Sequence, residues 1–399
     1  MHADRMPPGM AGTDGREVSQ ATPPQLRAIR DEIDAIDREL IALLNRRASS
    51  SVEVARIKRD SGGGTSDGAP SAATYVPGRE QVVLNNVLAA NAGPLTEAHI
   101  RTIYSEILSS SRALQRPLRI GYLGPAGTFS FRAAETAAKV RFGSFVEYVP
   151  ARTVSEVFEQ TERGETDYAV VPVENSTEGS VGQTLDMFMD SQLKICSEIL
   201  LWITQHLVGH GPLESVRRVY SHPQALAQCR RWLSTHLPGA EPVETSSTSA
   251  AAQRAAAEPD AAAIGTEESA AQNGISVLVR GIQDQAHNAT RFLLLGKETA
   301  ARSGNDKTSI LFSVRDRAGA LFEVLSVFAR RSINLTRIES RPSRRQPWEY
   351  VFFVDLLGHP DEPAVGEALE EMHAACTMVK VLGAWPVERR VDDQPRTSS

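Results

Sequence analysis

Two pairs of polar side chains interrupt the apolar stripes of predicted helices in the first quarter of the chain. Arg47 takes a position where the heptad spacing predicts an apolar residue. Lys58 follows close to three whole turns later, so the two cations project from nearly one face, about 16 Å apart. On a later helical segment Ser111 interrupts the apolar side, and Gln115 follows on the same face at i+4. Alone each suits a surface group, but together they could bind a small anion.

A second group of polar side chains follows short apolar runs that are typical of strands. In an open α/β sheet the turns past the carboxyl ends of the strands meet at one edge, where ligands bind. Each polar cluster is also typical of a capped helix start, so a substrate site requires that they meet in one cleft. The candidates are Thr128, Glu174, Asn175, Ser176, Ser221, Gln224, Thr290 and Arg291.

The motifs of common cofactor sites are missing from the sequence. The turn GPAGTFS, residues 124–130, offers backbone N–H groups that suit a carboxylate or phosphate. It lacks the GK[ST] of a P-loop and the GxGxxG of a dinucleotide site. The three cysteines, Cys196, Cys229 and Cys376, are far apart and form no CxxC, which argues against disulfide scaffolds and zinc ribbons. We therefore expect neither a metal nor another cofactor.

Length and charge narrow the possible classes further. A chain of 399 residues exceeds the size of a single hydrophobic core, so two to four domains are expected. The net charge of -6 gives no global field for nucleic acid. No apolar run approaches the roughly 20 residues of a membrane span, and the amino-terminal residues lack the apolar stretch of a secretory signal. We expect a cytoplasmic protein that binds neither nucleic acid nor membrane.

The elements that must position these side chains fall into three units. Residues 25–116 predict an all-α unit, with helices from about 26 to 59, 79 to 92 and 96 to 115 and a flexible Gly/Ser loop at 61–74. The tails 1–24 and 389–399 are expected to be disordered. The seam of the first helix has the spacing 3,4,3,4,3 and consists of Leu26, Ile29, Ile33, Ile36, Leu40 and Leu43.

The other two units alternate strands and helices. Residues 118–297 repeat a strand that runs into a polar turn, as expected for an α/β sheet. Residues 305–388 have the order βαββαβ, which predicts a ferredoxin-like α+β sandwich. The chain is therefore predicted to be multidomain, with all-α, α/β and α+β units in that order.

The helical unit resembles the all-helical chorismate mutases through LRAIRDEIDAIDRELIALLNRR, VEVARIK, PGRE and the Ser-x-x-x-Gln ending. The resemblance implies an intertwined dimer in which Arg47, Arg79 and the partner chain's Arg30 bind the carboxylates of chorismate. It implies that Lys58 and Gln115 hydrogen-bond the ether oxygen, and that Glu80 and Ser111 line the site or contact the hydroxyl. Val76 stands where some relatives carry an acidic residue, which leaves an impaired mutase as an alternative.

The α/β unit resembles prephenate dehydratase over nearly all of residues 118–297, through GPAGTFS, VPVENS, SHPQ and NATRF. The resemblance implies two α/β lobes with a cleft between them, similar to type 2 periplasmic binding proteins. Thr290 matches the catalytic Thr that assists loss of the ring hydroxyl. Asn175, Ser221 and Gln224 would orient prephenate, with Arg291 near its carboxylates, and the polar turns would supply Thr128, Glu174 and Ser176.

The C-terminal unit resembles the ACT regulatory domain attached to prephenate dehydratases, through DRAGALFEVLSVFARRSINLTRIESRP. The resemblance implies a dimer interface that binds phenylalanine, where backbone N–H groups at a helix start favour the carboxylate of the ligand. The implied effector residues are Gly319, Ala320, Leu321, Asn334, Glu339, Ser340, Arg341 and Pro342.

Taken together, the three resemblances imply a bifunctional chorismate mutase and prephenate dehydratase. Its expected ligands are chorismate, prephenate and the inhibitor phenylalanine, and its expected assembly is a homodimer or a higher homo-oligomer. A non-catalytic amino-acid sensor, built from a binding-protein-like cleft and an ACT pair, is the alternative from another class. The polar cleft set around Thr290 favours the enzyme.

Overall fold

The computed structural model describes residues 24–61, 77–285, 288–343 and 349–387. The helices in these ranges are α1 Pro24–Ser61, α2 Pro77–Ala90, α3 Glu97–Ala113, α4 Phe129–Arg141, α5 Val154–Glu162, α6 Gly182–Asp190, α7 Pro223–Gln228, α8 Arg230–His236, α9 Thr248–Ala257, α10 Glu267–Gln272, α11 Ala320–Arg330 and α12 Pro363–Ala375. None of these helices has the length and apolar run that a membrane crossing requires.

The strands divide between two sheets. They are β1 Leu118–Leu123, β2 Val146–Ala151, β3 Tyr168–Asn175, β4 Gly179–Ser180, β5 Lys194–Trp202, β6 His206–Gly209, β7 Arg218–Ser221, β8 Glu241–Glu244, β9 Ala261–Gly265, β10 Ser276–Val279, β11 Ala289–Gly296, β12 Asp306–Ser313, β13 Leu335–Pro342, β14 Tyr350–Leu357 and β15 Met378–Pro386.

The helical unit, α1 to α3, exposes most of its apolar surface. The prediction of three helices is confirmed, with α1 beginning at Pro24 instead of within a tail. Thr96 caps α3 by accepting a hydrogen bond from the backbone N–H of His99. This helix ends at Ala113, two residues earlier than expected, and Gln115 lies in the following turn. Along α1 the six predicted seam residues are all 42–56% exposed.

The α/β unit contains two lobes. In the first lobe the strand order is β5-β11-β3-β1-β2, with β11 antiparallel to both its neighbours and Thr290 opposite Asn175. Buried apolar side chains, such as Ile120 and Leu294, hold α4 against this sheet. The second lobe has the order β10-β6-β9-β7-β8. The chain enters it after Trp202 and returns before Ala289, so two crossings connect the lobes.

The C-terminal unit has the predicted order βαββαβ, as β12-α11-β13-β14-α12-β15. Its sheet, β13-β14-β12-β15, continues into the first lobe because β15 pairs with β5 at Gly383 and Ile195. A Cβ added at Gly383 would lie 2.3 Å from the Ile195 carbonyl oxygen, so only glycine permits this approach. The unit is therefore joined directly to the lobe that carries Thr290.

Candidate functional sites

A first site forms where α1 meets α3. The Arg47 guanidinium donates a hydrogen bond of 2.5 Å to the Ser111 hydroxyl, which donates to the Ile107 carbonyl at 2.8 Å. Because Ser111 is buried and Arg47 is half-buried, the cation is oriented by the neighbouring helix instead of moving freely in solvent. The structure thus brings together one Arg and one Ser that were predicted to share a pocket.

The remaining predicted residues of this site are less closely associated. Glu80 pairs with Arg112, a buried cation absent from the predicted set. Arg30 and Arg79 are exposed, and neither has an ion pair with another described residue. Lys58 lies within α1, but its side chain falls outside the described part, as do Val76 and most of the predicted loop. The helices of one chain leave the site open on the side of α1.

A second site forms where the two lobes meet. The Asn175 amide donates hydrogen bonds to the Thr290 hydroxyl at 2.8 Å and to the Asn288 side-chain oxygen at 2.9 Å. The Asn175 oxygen accepts from the backbone N–H groups of Thr177 and Glu178, which fixes the amide orientation. Since Thr290 accepts a hydrogen bond from Asn175, its own O–H proton can be donated to a ligand.

Polar atoms around Thr290 are held in place on both strands. Ser176 exchanges hydrogen bonds with the backbone of Ala289, through its N–H at 2.9 Å and its hydroxyl at 3.0 Å. Asn288 is buried, and its side-chain nitrogen has no hydrogen-bond partner among the described residues. An unsatisfied buried donor is costly, so this nitrogen could donate to a bound ligand. Asn288 lies in the same short motif as Thr290, and only its burial marks it out.

The second lobe contributes Gln228 instead of Gln224. Gln228 donates a hydrogen bond across the cleft to Glu178 at 3.1 Å and accepts one from Gln205, also at 3.1 Å. Gln224 is exposed in the first turn of α7, and the buried Ser221 hydroxyl donates to the Ile264 carbonyl. The roles of Gln224 and Ser221 in substrate binding stay predictions. Gln228 lies one turn after Gln224, so spacing alone could not choose between them.

The turn before α4 also lies against the second lobe. Thr128 accepts from the Phe131 N–H and donates to the Pro125 carbonyl at 2.9 Å, so its hydroxyl acts as a helix cap. The Gly127 carbonyl accepts a hydrogen bond of 3.4 Å from Thr266. A ligand role for Thr128 stays a prediction, while the turn itself borders the cleft.

Arg291 extends into the C-terminal unit. Its guanidinium lies 2.8 Å from Glu198 of β5 and 2.6 Å from Asp355 of β14. Burial alone would lower the pKa of Arg291, but Asp355 and Glu198 raise it above its ordinary value. Successive strand residues point to opposite faces, which separates this cation from the Thr290 hydroxyl. These contacts give no support to the predicted carboxylate-binding role.

Glu174 is likewise held by the C-terminal unit. Its carboxylate lies 3.2 Å from Arg337 of β13, which also donates a hydrogen bond of 2.7 Å to Ser180. Ser180 in turn donates to Glu339 at 2.8 Å. The predicted substrate role of Glu174 stays a prediction, because the contacts seen here connect two units.

The predicted effector residues occupy two places in the C-terminal unit. Gly319 precedes α11 with φ +83°, a conformation that favours glycine, and is followed by Ala320 and Leu321. Along the edge strand β13 alternate residues differ: Glu339 and Arg341 contact Ser180 and Asp186 of the first lobe. The other predicted members, Asn334, Ser340 and Pro342, are exposed.

The three thiols are free and poorly suited to nucleophilic chemistry. Burial raises the pKa of Cys196 to about 12, against a smaller opposing effect of Arg141. Burial likewise raises the pKa of Cys229 to about 12 and that of Cys376 to about 11. Because the thiolate is the reactive form, these residues serve packing, as the sequence predicted.

Family models match the chain in three segments. Residues 29–116 match chorismate mutase type II, residues 120–300 match prephenate dehydratase and residues 308–374 match the ACT domain. Their order agrees with the three structural units.

Individual relatives match nearly the whole chain. The bifunctional chorismate mutase/prephenate dehydratase of Stutzerimonas stutzeri is 43% identical over 364 residues, covering 91% of this chain and 98% of the relative. The protein of the same name from Aquifex aeolicus is 41% identical over 367 residues, with coverage of 91% and 98%. A crystal structure of prephenate dehydratase in complex with L-Phe, from Arthrobacter aurescens, is 36% identical with a TM-score of 0.62, covering 67% of this chain and 90% of that chain.

Proposed function

Because the chain belongs to the bifunctional chorismate mutase/prephenate dehydratase family, we propose how its two sites divide successive reactions between them. The enzyme rearranges chorismate to prephenate and converts prephenate to phenylpyruvate, in phenylalanine biosynthesis. We assign the first reaction to the helical site around Arg47 and the second to the cleft around Thr290. The hydrogen bond from Asn175 to Thr290, where the two lobes meet, carries the second assignment.

In the cleft, prephenate loses carbon dioxide and its ring hydroxyl together. The bond to the ring carboxylate breaks, its electron pair enters the ring, and the hydroxyl departs as water after taking up a proton. Asn175 holds the Thr290 oxygen so that the Thr290 proton is directed to the departing hydroxyl. Thr is a weak acid, so it acts as a positioned donor within a relay. A pocket closed by the second lobe favours loss of charge from the carboxylate.

In the helical site, the rearrangement breaks one C–O bond and forms one C–C bond in a single step. It requires no nucleophile, only a pocket that compacts the substrate and stabilises charge on the ether oxygen. Ser111 orients Arg47 toward this role. Lys58 and Gln115 are proposed to donate to the ether oxygen, and Arg79 to bind a carboxylate.

The mutase site requires a second copy of the chain. The seam of α1 leaves Ile29, Ile33 and Ile36 more than half exposed along one face, although a partner surface of similar length would bury them. A helix of about 57 Å can carry Arg30 to the partner's pocket, as its distance from Arg47 requires. We therefore propose a homodimer built on α1. The free thiols also support a cytoplasmic location.

Phenylalanine is proposed to regulate the dehydratase through the C-terminal unit. The start of α11 at Gly319 presents backbone N–H groups to a carboxylate. Strand β13 lies at the edge of the sheet, where a second copy can pair with it. Glu339 and Arg341 contact the first lobe from this strand, so a ligand that shifts β13 also affects the cleft.

Two variants test the division of sites. We expect Thr290→Val to lose at least about 100-fold in phenylpyruvate formation from prephenate, measured by absorbance in alkali, with chorismate consumption unchanged. Arg47→Met should show the reverse, and Arg46→Met, at the exposed neighbouring position, should resemble the parent. Loss of both activities in either variant contradicts separate sites. A parent that forms no phenylpyruvate at any enzyme concentration contradicts the whole assignment and favours a sensor.

A further inference from the structure

A buried cation connects the helical unit with the α/β unit. Arg112, on the last turn of α3, is only 6% exposed. One guanidinium nitrogen donates to Glu80 of α2, and the other donates to the backbone carbonyl of Phe142, which follows α4. A buried guanidinium is tolerated only when it is paired and hydrogen-bonded, and both conditions are met here by groups from two units.

The same face of α3 is docked on residues 142–145 by further contacts. Ser109 accepts a hydrogen bond of 3.1 Å from the Phe145 N–H. Glu106 accepts from both the N–H and the hydroxyl of Ser144, at 3.2 and 3.0 Å. Glu106, Ser109 and Arg112 follow one another at intervals of three, so they share one side of the helix. This register fixes where Arg112 stands relative to Glu80.

The charge of Glu80 matters because the substrate of the helical site is a dianion. An unpaired carboxylate in that pocket would repel chorismate, and at an effective dielectric of about 20 such a charge several Å away costs more than about 1 kcal/mol. Arg112 contacts only one carboxylate oxygen of Glu80. The second oxygen, Oε2, has no partner among the described residues and can accept a hydrogen bond from a substrate hydroxyl.

We propose that Arg112 is a positioning residue of the mutase reaction. It neutralises Glu80, directs the free oxygen of that carboxylate to the substrate, and takes its own position from the Phe142 carbonyl. The inference rests on the proposed function, which places Glu80 in the mutase pocket. It means that the α/β unit helps to build the mutase site of its own chain.

Steady-state kinetics of the full-length enzyme test this role. We expect Arg112→Met to raise KM for chorismate about tenfold, because the unpaired Glu80 charge repels ground state and transition state alike. The effect should shrink as salt is added, since screening weakens the repulsion. Kinetics with prephenate should match the parent, which also reports that the α/β unit is folded. Arg112→Lys keeps the charge, so we expect a smaller rise in KM; it also serves if Arg112→Met fails to fold.

A double-mutant cycle separates positioning from general structural support. Gln at position 80 carries no charge, so Arg112→Met should add little to the defect of Glu80→Gln. Equal losses in both backgrounds would overturn the proposal. Glu106→Ala is the matched control, because it weakens the same junction without touching Glu80, and KM for chorismate should stay at the parent value. A rise as large as that of Arg112→Met would assign the effect to the junction and also overturn the proposal.

Failure of the underlying assignment has a different signature. If Glu80→Gln leaves mutase kinetics unchanged, or if the parent does not consume chorismate, Glu80 is not a mutase residue and both ideas fail. If Glu80→Gln is impaired while Arg112→Met and Arg112→Lys resemble the parent, only the role of Arg112 is wrong.

Discussion

The Arg291 guanidinium lies 2.6 Å from the Asp355 carboxylate, although the two residues belong to different units. Glu198 binds the same guanidinium at 2.8 Å and Lys307 at 2.6 Å, which extends the contact to β12. Arg291 directly follows Thr290 on β11. The strand with the proposed catalytic hydroxyl is therefore held in register by a carboxylate of the regulatory unit.

The first prediction concerns Asp355→Asn. The variant leaves Arg291 with Glu198 alone, and we expect the free energy of unfolding to fall by about 1.5–3 kcal/mol, the usual value for a hydrogen bond to a charged group. Dehydratase kcat should also fall, because β11 loses a fixed point beside Thr290, while the mutase rate should not change. Urea unfolding and the two assays measure these effects.

Asp361→Asn is the control for this variant. Asp361 lies in the same unit, but its side chain is 78% exposed and it contacts only His359 among the described residues. We expect stability and both activities to match the parent. If Asp355→Asn has no effect on the dehydratase either, the network holds the units together without supporting catalysis.

Arg47 and Arg291 illustrate what the sequence could predict. The pairing of Arg47 with Ser111 followed from helical periodicity, because both interrupt apolar stripes that must face each other. The surroundings of Arg291 could not be predicted, since Asp355 is 64 residues away and reaches it only through the pairing of β15 with β5. That pairing depends on Gly383, whose role appears only when the approach of Ile195 is known.

The second prediction compares two glutamines on α7. We expect Gln228→Ala to lower dehydratase kcat/KM about tenfold, because its hydrogen bond to Glu178 connects the second lobe with the Asn175 turn. Gln224→Ala should resemble the parent, since that side chain is exposed at the helix start. Prephenate kinetics decide between them. A larger defect in Gln224→Ala would restore the prediction from sequence and remove Gln228 from the cleft.

The third prediction concerns the exposed seam of α1. Ile33→Asp places a charge where the proposed dimer buries an apolar side chain that is 51% exposed in one chain. We expect a smaller molecular mass by light scattering and loss of mutase activity, with the dehydratase retained. Asn45→Asp adds the same charge on the opposite side of the helix and should leave the mass unchanged. A dimer that survives Ile33→Asp with full mutase activity would place the interface elsewhere.

The fourth prediction concerns His206, at the start of β6. Its Nδ1 accepts a hydrogen bond of 3.2 Å from the Gly281 N–H, which requires an unprotonated nitrogen. Burial, together with Arg280 and Arg132, lowers the pKa of His206 below its ordinary value of 6.5, against a smaller opposing effect of Glu268. Protonation therefore breaks a contact that joins β6 to the segment after β10.

The sign of the pH effect follows from this lowered pKa. Below about pH 6.5 the unfolded chain binds a proton at His206 more readily than the folded chain, so the free energy of unfolding falls as the pH drops. Above that value the contribution is complete. His206→Gln keeps an acceptor for Gly281 but cannot titrate, so it should lose less stability between about pH 7.5 and 5.5 than the parent in urea unfolding. Because all other groups are shared, equal losses in the two proteins would mean that His206 titrates alike in the folded and unfolded chains.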